Sequence, residues 1–353
     1  MSFKGNVMTT KDTTKNETLS ALQKEILKRW KKKDKNFITQ EVKDLLKIKF
    51  DGEILFKEPM SQHTYMKIGG PADVFLKPNS LDALIYAVNL AHENAIPCWF
   101  HGSGANTLIR DGGIRGFVIS VYDILKDITV VEQNESYVDI EAGSGARFSK
   151  LVTLCKDMGL SDIMPMTGIP GSIGGIIKMN AGVPQKEIKD VVRSIKIITK
   201  EGEEKVISRE HLDFTYRDLK LAKSNIIVSA LFRFKELTST EEAYSLMKQF
   251  QEQRVNKQPL DYPSCGSVFK NPQPVHRNDI VVPAGKMIEE AGLKNVRIGG
   301  ARISTKHANF IINENKATAA DVIALINLVK DKIKQLFEVQ LETEVKILGE
   351  DKE

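Results

Sequence analysis

Cysteine is scarce: the 353 residues hold three, Cys98, Cys155 and Cys265, with no close pair among them. An odd, widely spaced set supports neither a disulfide framework nor a cysteine-ligated zinc site. Histidine is thin too, six residues with no His-x-x-x-His pair, so no metal site is expected, and His63, His211 and His276 read as ordinary surface or core residues. The Gly-Lys-Ser/Thr element of common nucleoside triphosphatases is missing. No apolar run approaches the roughly 18 residues needed to cross a bilayer, and Met1–Thr10 lacks the apolar core of a signal peptide. A cytoplasmic protein without membrane insertion is therefore expected.

What is present is an ordinary globular composition, 41% hydrophobic and 27% charged. At about 100–200 residues per domain the chain should form two or three domains. The net charge of +5 is unevenly placed: residues 1–50 carry +7 and the remainder −2. The body is thus not a nucleic-acid binder by charge. The surplus concentrates in Lys28–Lys35, where six of eight residues are cationic. A solvated helix end accounts for such a run, and an anionic partner is the alternative.

Residues 1–17 are polar and read as disordered, whereas Leu19, Leu22, Ile26, Leu27 and Trp30 recur at helical spacing. Thr39 is a plausible N-cap for a second short helix through Val42, Leu45 and Leu46. From about residue 51 strands and helices alternate with glycine-rich turns. Strands are expected at 73–77, 96–100, 116–120, 127–133, 137–142, 191–199, 204–208, 226–235, 308–313 and 341–347, and helices at 80–94, 146–158, 241–253, 284–291 and 318–335. This is an α+β pattern, with an extension at 1–50, a body at 51–236 in two parts (51–121 and 122–236), and a last domain at 237–353.

Three glycine clusters invite a ligand, because glycine lets the main chain approach one closely. Gly102-Ser103-Gly104-Ala105-Asn106 follows a strand directly, and consecutive N–H groups in such a turn suit phosphate oxygens. Gly143-Ser-Gly145 suggests a dinucleotide fingerprint but has Phe148 where the third glycine belongs. Gly168-Ile169-Pro170-Gly171-Ser172-Ile173-Gly174-Gly175 is the richest cluster. Two such clusters at separate strand ends favour a shared phosphate-bearing ligand over two unrelated tight turns.

Three polar groups stand out besides. Arg217 lies between Tyr216 and Asp218, where a plain surface ion pair is the simplest reading. Ser267, in Ser264-Cys-Gly-Ser-Val-Phe-Lys-Asn-Pro272, is either a turn serine or a reactive hydroxyl. Glu342 and Glu344 fall two apart on a terminal strand and hence on one face; periodicity does not choose between them.

Taken with Thr64-Tyr-Met-Lys-Ile-Gly-Gly-Pro-Ala72 and Ile298-Gly-Gly-Ala301, these motifs resemble, in order and over about residues 60–348, the UDP-N-acetylenolpyruvoylglucosamine reductase (MurB) family. The resemblance implies an FAD-binding domain of the vanillyl-alcohol-oxidase (PCMH) type, made of two subdomains, and a C-terminal α+β substrate-binding domain. It implies non-covalent FAD, NADPH as co-substrate, and reduction of UDP-N-acetylglucosamine enolpyruvate to UDP-N-acetylmuramate for peptidoglycan: a hydride passes from flavin N5 to C3 and a proton goes to C2. Hydride addition leaves negative charge beside the substrate carboxylate, which needs a fixed cation and an acid. By position, Arg217 would bind the carboxylate and stabilise the enolate, Glu344 would assist as a protonated acid, and Ser267 would donate the proton. The flavin pyrophosphate would lie on Gly102–Asn106 and Ile169–Gly175, in particular Gly174 and Gly175. Tyr216, Lys257, Lys270, Asn271 and His307 would meet the substrate, Lys257 at its UDP portion. Because serine is a weak acid, a relay through Lys270 or a neighbour is further expected to support Ser267.

Only 76 residues separate Ser267 from Glu344, so the chain resembles the shorter members, which lack a tyrosine loop over the substrate. Some of those use a cysteine as proton donor, and Cys265 lies two residues before Ser267. The implied enzyme is a monomer acting on small molecules. The alternative is a flavoprotein oxidase of the same fold; many of these attach FAD through a histidine, and here only His101 precedes the first glycine turn. A non-catalytic flavin- or nucleotide-binding module whose basic leader recruits an anionic partner is the third reading.

Overall fold

The computed structural model describes residues 37–122, 124–199, 202–222, 224–273 and 281–352. The expectations for residues 1–36, including Lys28–Lys35, and for His276 lie outside them. Thr39 caps the helix Gln40–Lys49 by accepting a hydrogen bond from the Val42 N–H at 3.3 Å. That helix buries Val42 and Leu46, and its Leu45 carbonyl accepts from the Tyr86 hydroxyl at 3.2 Å.

A four-stranded sheet follows, in the order Gly52–Pro59, Pro71–Pro78, Ile114–Ser120, Cys98–His101. The first pair is antiparallel and the others are parallel. Helix Leu81–Glu93, capped by Ser80, buries Leu84, Ala87, Leu90 and Ala91, a spacing that keeps one apolar stripe toward the sheet. A second sheet has five antiparallel strands in the order Glu204–Ser208, Val192–Ile198, Ile226–Phe234, Val138–Gly143, Ile128–Gln133. Helix Phe148–Asp157 and the short helix Ile173–Lys178 complete its core, which contains Phe148, Leu151, Ile176, Ile177, Phe232 and Phe234.

The remainder builds on a three-stranded antiparallel sheet, Arg297–Ile298, Ala301–Ile303 and Ile311–Asn313. Helix Ala319–Phe337 starts in a capping box of Thr318 and Asp321 and buries Val322, Leu325, Ile326, Val329 and Ile333 at three- and four-residue steps. Its core also takes in Met66, Ile68 and Leu108, so it is continuous with the first sheet's connections. A parallel pairing of Lys346–Leu348 with Thr107–Ile109 strengthens that join. No helix among the described residues is long and apolar enough to cross a membrane.

Strands Gly52–Pro59, Arg297–Ile298 and Ala301–Ile303 are not among those expected, the strand expected at 308–313 shortens to Ile311–Asn313, and the last strand is interrupted. Instead of a single strand over 341–347, Thr343 bridges Phe269 and pairing resumes only at Lys346–Leu348. Between them the N–H groups of Glu344 and Val345 both point at the Val268 carbonyl, at 2.8 and 3.4 Å. Two residues facing one is the pattern of a bulge, and it breaks the two-residue alternation. Glu342 and Glu344 consequently meet different surroundings, with side chains 74% and 18% exposed.

Candidate active site

Ser267 begins a short run that is held from both sides. The Val268 N–H donates to the Asn309 carbonyl at 2.8 Å, while the Asn309 side chain accepts from the Phe269 N–H at 2.9 Å and donates to the Phe269 carbonyl at 2.8 Å. On the other side the same run meets Thr343 and Glu344. Val268 and Phe269 are buried, which fixes the run against the core and leaves Ser267 at the wall of a cavity of about 290 Å³. Arg217 and Glu344 line the same cavity, together with Tyr216, Asn271 and His307.

Arg217 comes from the turn of the hairpin Phe214–Thr215 and Asp218–Leu219. Its guanidinium does not pair with Asp218, which instead accepts from Lys178; it stands with Nε 3.1 Å from Glu344 Oε1. The approach is at ion-pair distance without hydrogen-bond alignment, and Nε and Nη1 are buried without a hydrogen-bond partner among the described residues. The guanidinium carbon is 5.0 Å from the Tyr216 ring centre. Burial pushes the Glu344 carboxyl above its ordinary pKa, outweighing the downward pull of Arg217, Lys270 and Lys346. An acid shifted upward beside a cation with unused donors is the kind of arrangement found where chemistry occurs.

The Asn309 N–H donates to His307 Nδ1 at 3.2 Å, so the neutral ring carries its proton on Nε2. Burial lowers the His307 pKa and favours that neutral form. Cys265 lies in the core rather than at the cavity wall, and burial raises its thiol pKa to about 12. Its neighbour Ser267 is the one that reaches the cavity. Asn271 accepts from the Ala284 N–H at 3.1 Å. Lys257 and Lys270 are not part of the wall: Lys257 is exposed at the end of helix Thr240–Lys257, and Lys270 pairs with Glu342 at 3.2 Å. No hydrogen bond joins Lys270 to Ser267 among the described residues.

The glycine turns separate by what their N–H groups do. Gly143, Ser144 and Gly145 donate to Asp127, Val228 and Leu125, so that cluster is structural. In the third cluster Ile169, Ile173 and Gly174 donate to Met166, Ala146 and Ser144, and Gly175 donates to Ser172 Oγ, leaving Gly168, Gly171 and Ser172 without an acceptor among the described residues. The N–H groups of Gly102, Ser103, Gly104 and Ala105 donate to no acceptor among the described residues. This first turn faces the third, since a Cβ on Gly102 would lie 2.7 Å from Ser172 Oγ. Buried hydroxyls of Ser144 and Thr167, neither singled out by the sequence, also lack hydrogen-bond partners among the described residues beside the third turn. Free donors on two facing turns fit a diphosphate, as FAD requires. Gly102 and Ser103 also border a larger cavity of about 710 Å³, walled by His63, Phe75, His101 and Tyr122. Arg254, missed by the sequence reading, approaches Gly168 from the helix one turn before Lys257, and its buried Nε has no hydrogen-bond partner among the described residues.

Residues 72–208 match the family model described as "FAD binding domain", and residues 258–348 match "UDP-N-acetylenolpyruvoylglucosamine reductase, C-terminal domain". The UDP-N-acetylenolpyruvoylglucosamine reductase of Syntrophus aciditrophicus is 39% identical over 88% of this chain and 96% of its own length. That of Exiguobacterium sibiricum is 42% identical over 84% and 94%. Among solved structures, the MurB of Thermus caldophilus superposes with a TM-score of 0.67 at 27% identity, covering 84% of this chain and 99% of its own.

Proposed function

The chain belongs to the UDP-N-acetylenolpyruvoylglucosamine reductase family, and on that premise we propose that Arg217, Ser267 and Glu344 are its catalytic residues. It is an FAD-dependent oxidoreductase that uses NADPH to reduce UDP-N-acetylglucosamine enolpyruvate to UDP-N-acetylmuramate, a peptidoglycan precursor. The observation that carries the residue assignment is the pair of buried, unpartnered Arg217 nitrogens in the cavity shared with Ser267 and Glu344. Buried donors are rarely left unpaired, and a guanidinium presents a fork that two carboxylate oxygens match.

Gly102–Asn106 and Ile169–Gly175 would hold FAD, which, once reduced by NADPH, would supply the hydride for C3 of the enolpyruvyl group. Arg217 binds the substrate carboxylate and lowers the energy of the negative charge that develops next to it. Glu344, with its raised pKa, keeps a proton to donate in a hydrogen bond toward that charge. The Ser267 hydroxyl delivers the proton to C2. Tyr216, Asn271 and His307 shape the wall around the sugar, and Lys257 and Lys270, outside the wall, serve the diphosphate-bearing end. Residues 51–121 and 122–236 act as the FAD-binding subdomains and 237–353 as the substrate domain, behind an extension at 1–50. NADPH and a UDP-linked substrate place the reaction in the cytoplasm, carried out by a monomer that takes small molecules and no nucleic acid.

An anaerobic visible spectrum tests this reading. Oxidised-flavin bands should bleach with NADPH and return on addition of UDP-N-acetylglucosamine enolpyruvate. Recovery only with oxygen would replace it by the oxidase reading, with His101 then examined for a covalent link.

A further inference from the structure

Arg217 sits in a turn that would not hold itself. The hairpin pairs Phe214 with Leu219 and Thr215 with Asp218, so Tyr216 and Arg217 form a two-residue connection. Connections of this length favour positive φ at both central residues or at the first, because that twist matches the strands. Here Arg217 alone has it, at φ 59°, which is the φ pattern of a type II turn with glycine's place taken by a long side chain. Such a turn splays its strands, and the left-handed conformation is unfavourable for a residue with a Cβ. It persists where surroundings over-determine it.

Those surroundings come from one segment, the end of the helix Ile173–Lys178 that follows the third glycine turn. Lys178 Nζ donates to Asp218 Oδ1 and to the Leu219 carbonyl, both at 2.6 Å, and so grips one strand. Asn180 Nδ2 donates to the Thr215 carbonyl at 3.0 Å and grips the other. Asn180 is itself fully buried, and its Oδ1 accepts from the Lys189 N–H at 3.3 Å. Neither residue lines the catalytic cavity. We propose that Lys178 and Asn180 are positioning residues, which hold the hairpin so that the Arg217 guanidinium stays beside Glu344 and open to a carboxylate. The proposal rests on the catalytic reading of Arg217 given above.

The test uses FAD-loaded full-length enzyme, with its two half-reactions followed by stopped-flow absorbance. Lys178→Met keeps the aliphatic stem of a half-exposed side chain and removes both donors. It should leave flavin reduction by NADPH within about twofold and slow reoxidation by UDP-N-acetylglucosamine enolpyruvate by about ten- to a hundredfold, the scale of a small misplacement. Lys178→Arg, which can still reach both oxygens, should recover most of the rate. In an Arg217→Lys background, Lys178→Met should add little, because both changes act on one interaction. Equal slowing of both half-reactions, or a full additional loss in that background, would overturn the proposal and make the clamp merely structural. An Arg217→Lys variant that reoxidises normally would overturn the catalytic reading and this inference together; slow Arg217→Lys with normal Lys178→Met overturns the inference alone. Should Asn180→Ala fail to fold, Lys178→Met still decides.

Discussion

The two cavities differ in how far their polar side chains are already satisfied. In the larger one the His63 ring stacks on Phe75 with centroids 4.1 Å apart, His63 Nε2 lies 2.8 Å from Glu58, and the His101 ring donates to the His63 carbonyl at 2.8 Å. Lys77 on its rim is paired with Glu53. In the smaller one Arg217 has two unpartnered nitrogens, and Glu344 is held above its ordinary pKa by burial. Satisfied walls give a rigid receptacle, whereas unsatisfied buried groups wait for charge that arrives with a substrate or forms during reaction. On the proposed reading the first cavity, with satisfied side chains and free main-chain donors at Gly102 and Ser103, serves for holding and the second for reacting.

Ser267→Ala should break the second without touching the first. Removing a general acid costs about a hundred- to ten-thousandfold, so flavin reoxidation by substrate should fall by that factor while FAD content and reduction by NADPH stay near wild type. Equal damage to both half-reactions would erase the distinction. Glu344→Gln should follow with a smaller loss and a changed pH profile. A raised carboxyl pKa keeps more of the acid form near neutral pH, and that form disappears as pH rises through the pKa. Reoxidation by the wild type should accordingly decline on the alkaline side, and the glutamine variant should lack that limb.

Gly104→Ala strikes the holding side. Gly104 has φ 71°, and a Cβ there would lie 2.2 Å from the His63 carbonyl oxygen, so main chain would have to shift. An FAD titration should show affinity weakened by roughly tenfold or more, the scale of alanine forced into a left-handed position. Reoxidation by the variant once saturated with FAD should change little. Gly102→Ala, which would meet only the Ser172 hydroxyl, should do less.

The extent to which this was legible in the sequence follows from range. Local periodicity is enough to place helices such as Ala319–Phe337 and strands such as Ile226–Phe234, because their burial repeats along the chain itself. Joining Lys346–Leu348 to Thr107–Ile109 depends on pairing between distant segments, which no local pattern encodes. The same limit explains Glu344: a two-residue period puts it with Glu342, and only the bulge against Val268 separates them. Arg217 beside Asp218 looked like a local ion pair, yet Lys178 takes Asp218 and frees the guanidinium for Glu344. Motif order pointed to the residues proposed as catalytic; Lys178, Asn180 and Asn309 carried no motif signal, since their hydrogen bonds run to main-chain carbonyls and amides of other segments.

The least effect at neutral pH belongs to His101, and it sharpens the description of the larger cavity as satisfied. Burial lowers the His101 pKa to about 4, against 6.5 for the free side chain, outweighing the upward pull of the hydrogen bond to the His63 carbonyl, while the His63 charge acts downward. Between those values the unfolded chain binds a proton that the folded one refuses, so stability must fall as pH drops from 6.5 toward 4 and level off below. At about 1.4 kcal/mol per pKa unit the loss approaches roughly 3 kcal/mol at its limit. His101→Gln can keep a donor toward the His63 carbonyl but cannot titrate. Urea unfolding of the FAD-loaded protein at pH 7 and pH 5 should show a smaller acid loss for the variant and similar stability at pH 7. An unchanged acid loss would mean that other groups carry it, and that the wall of the holding cavity is not kept in place by a neutral His101.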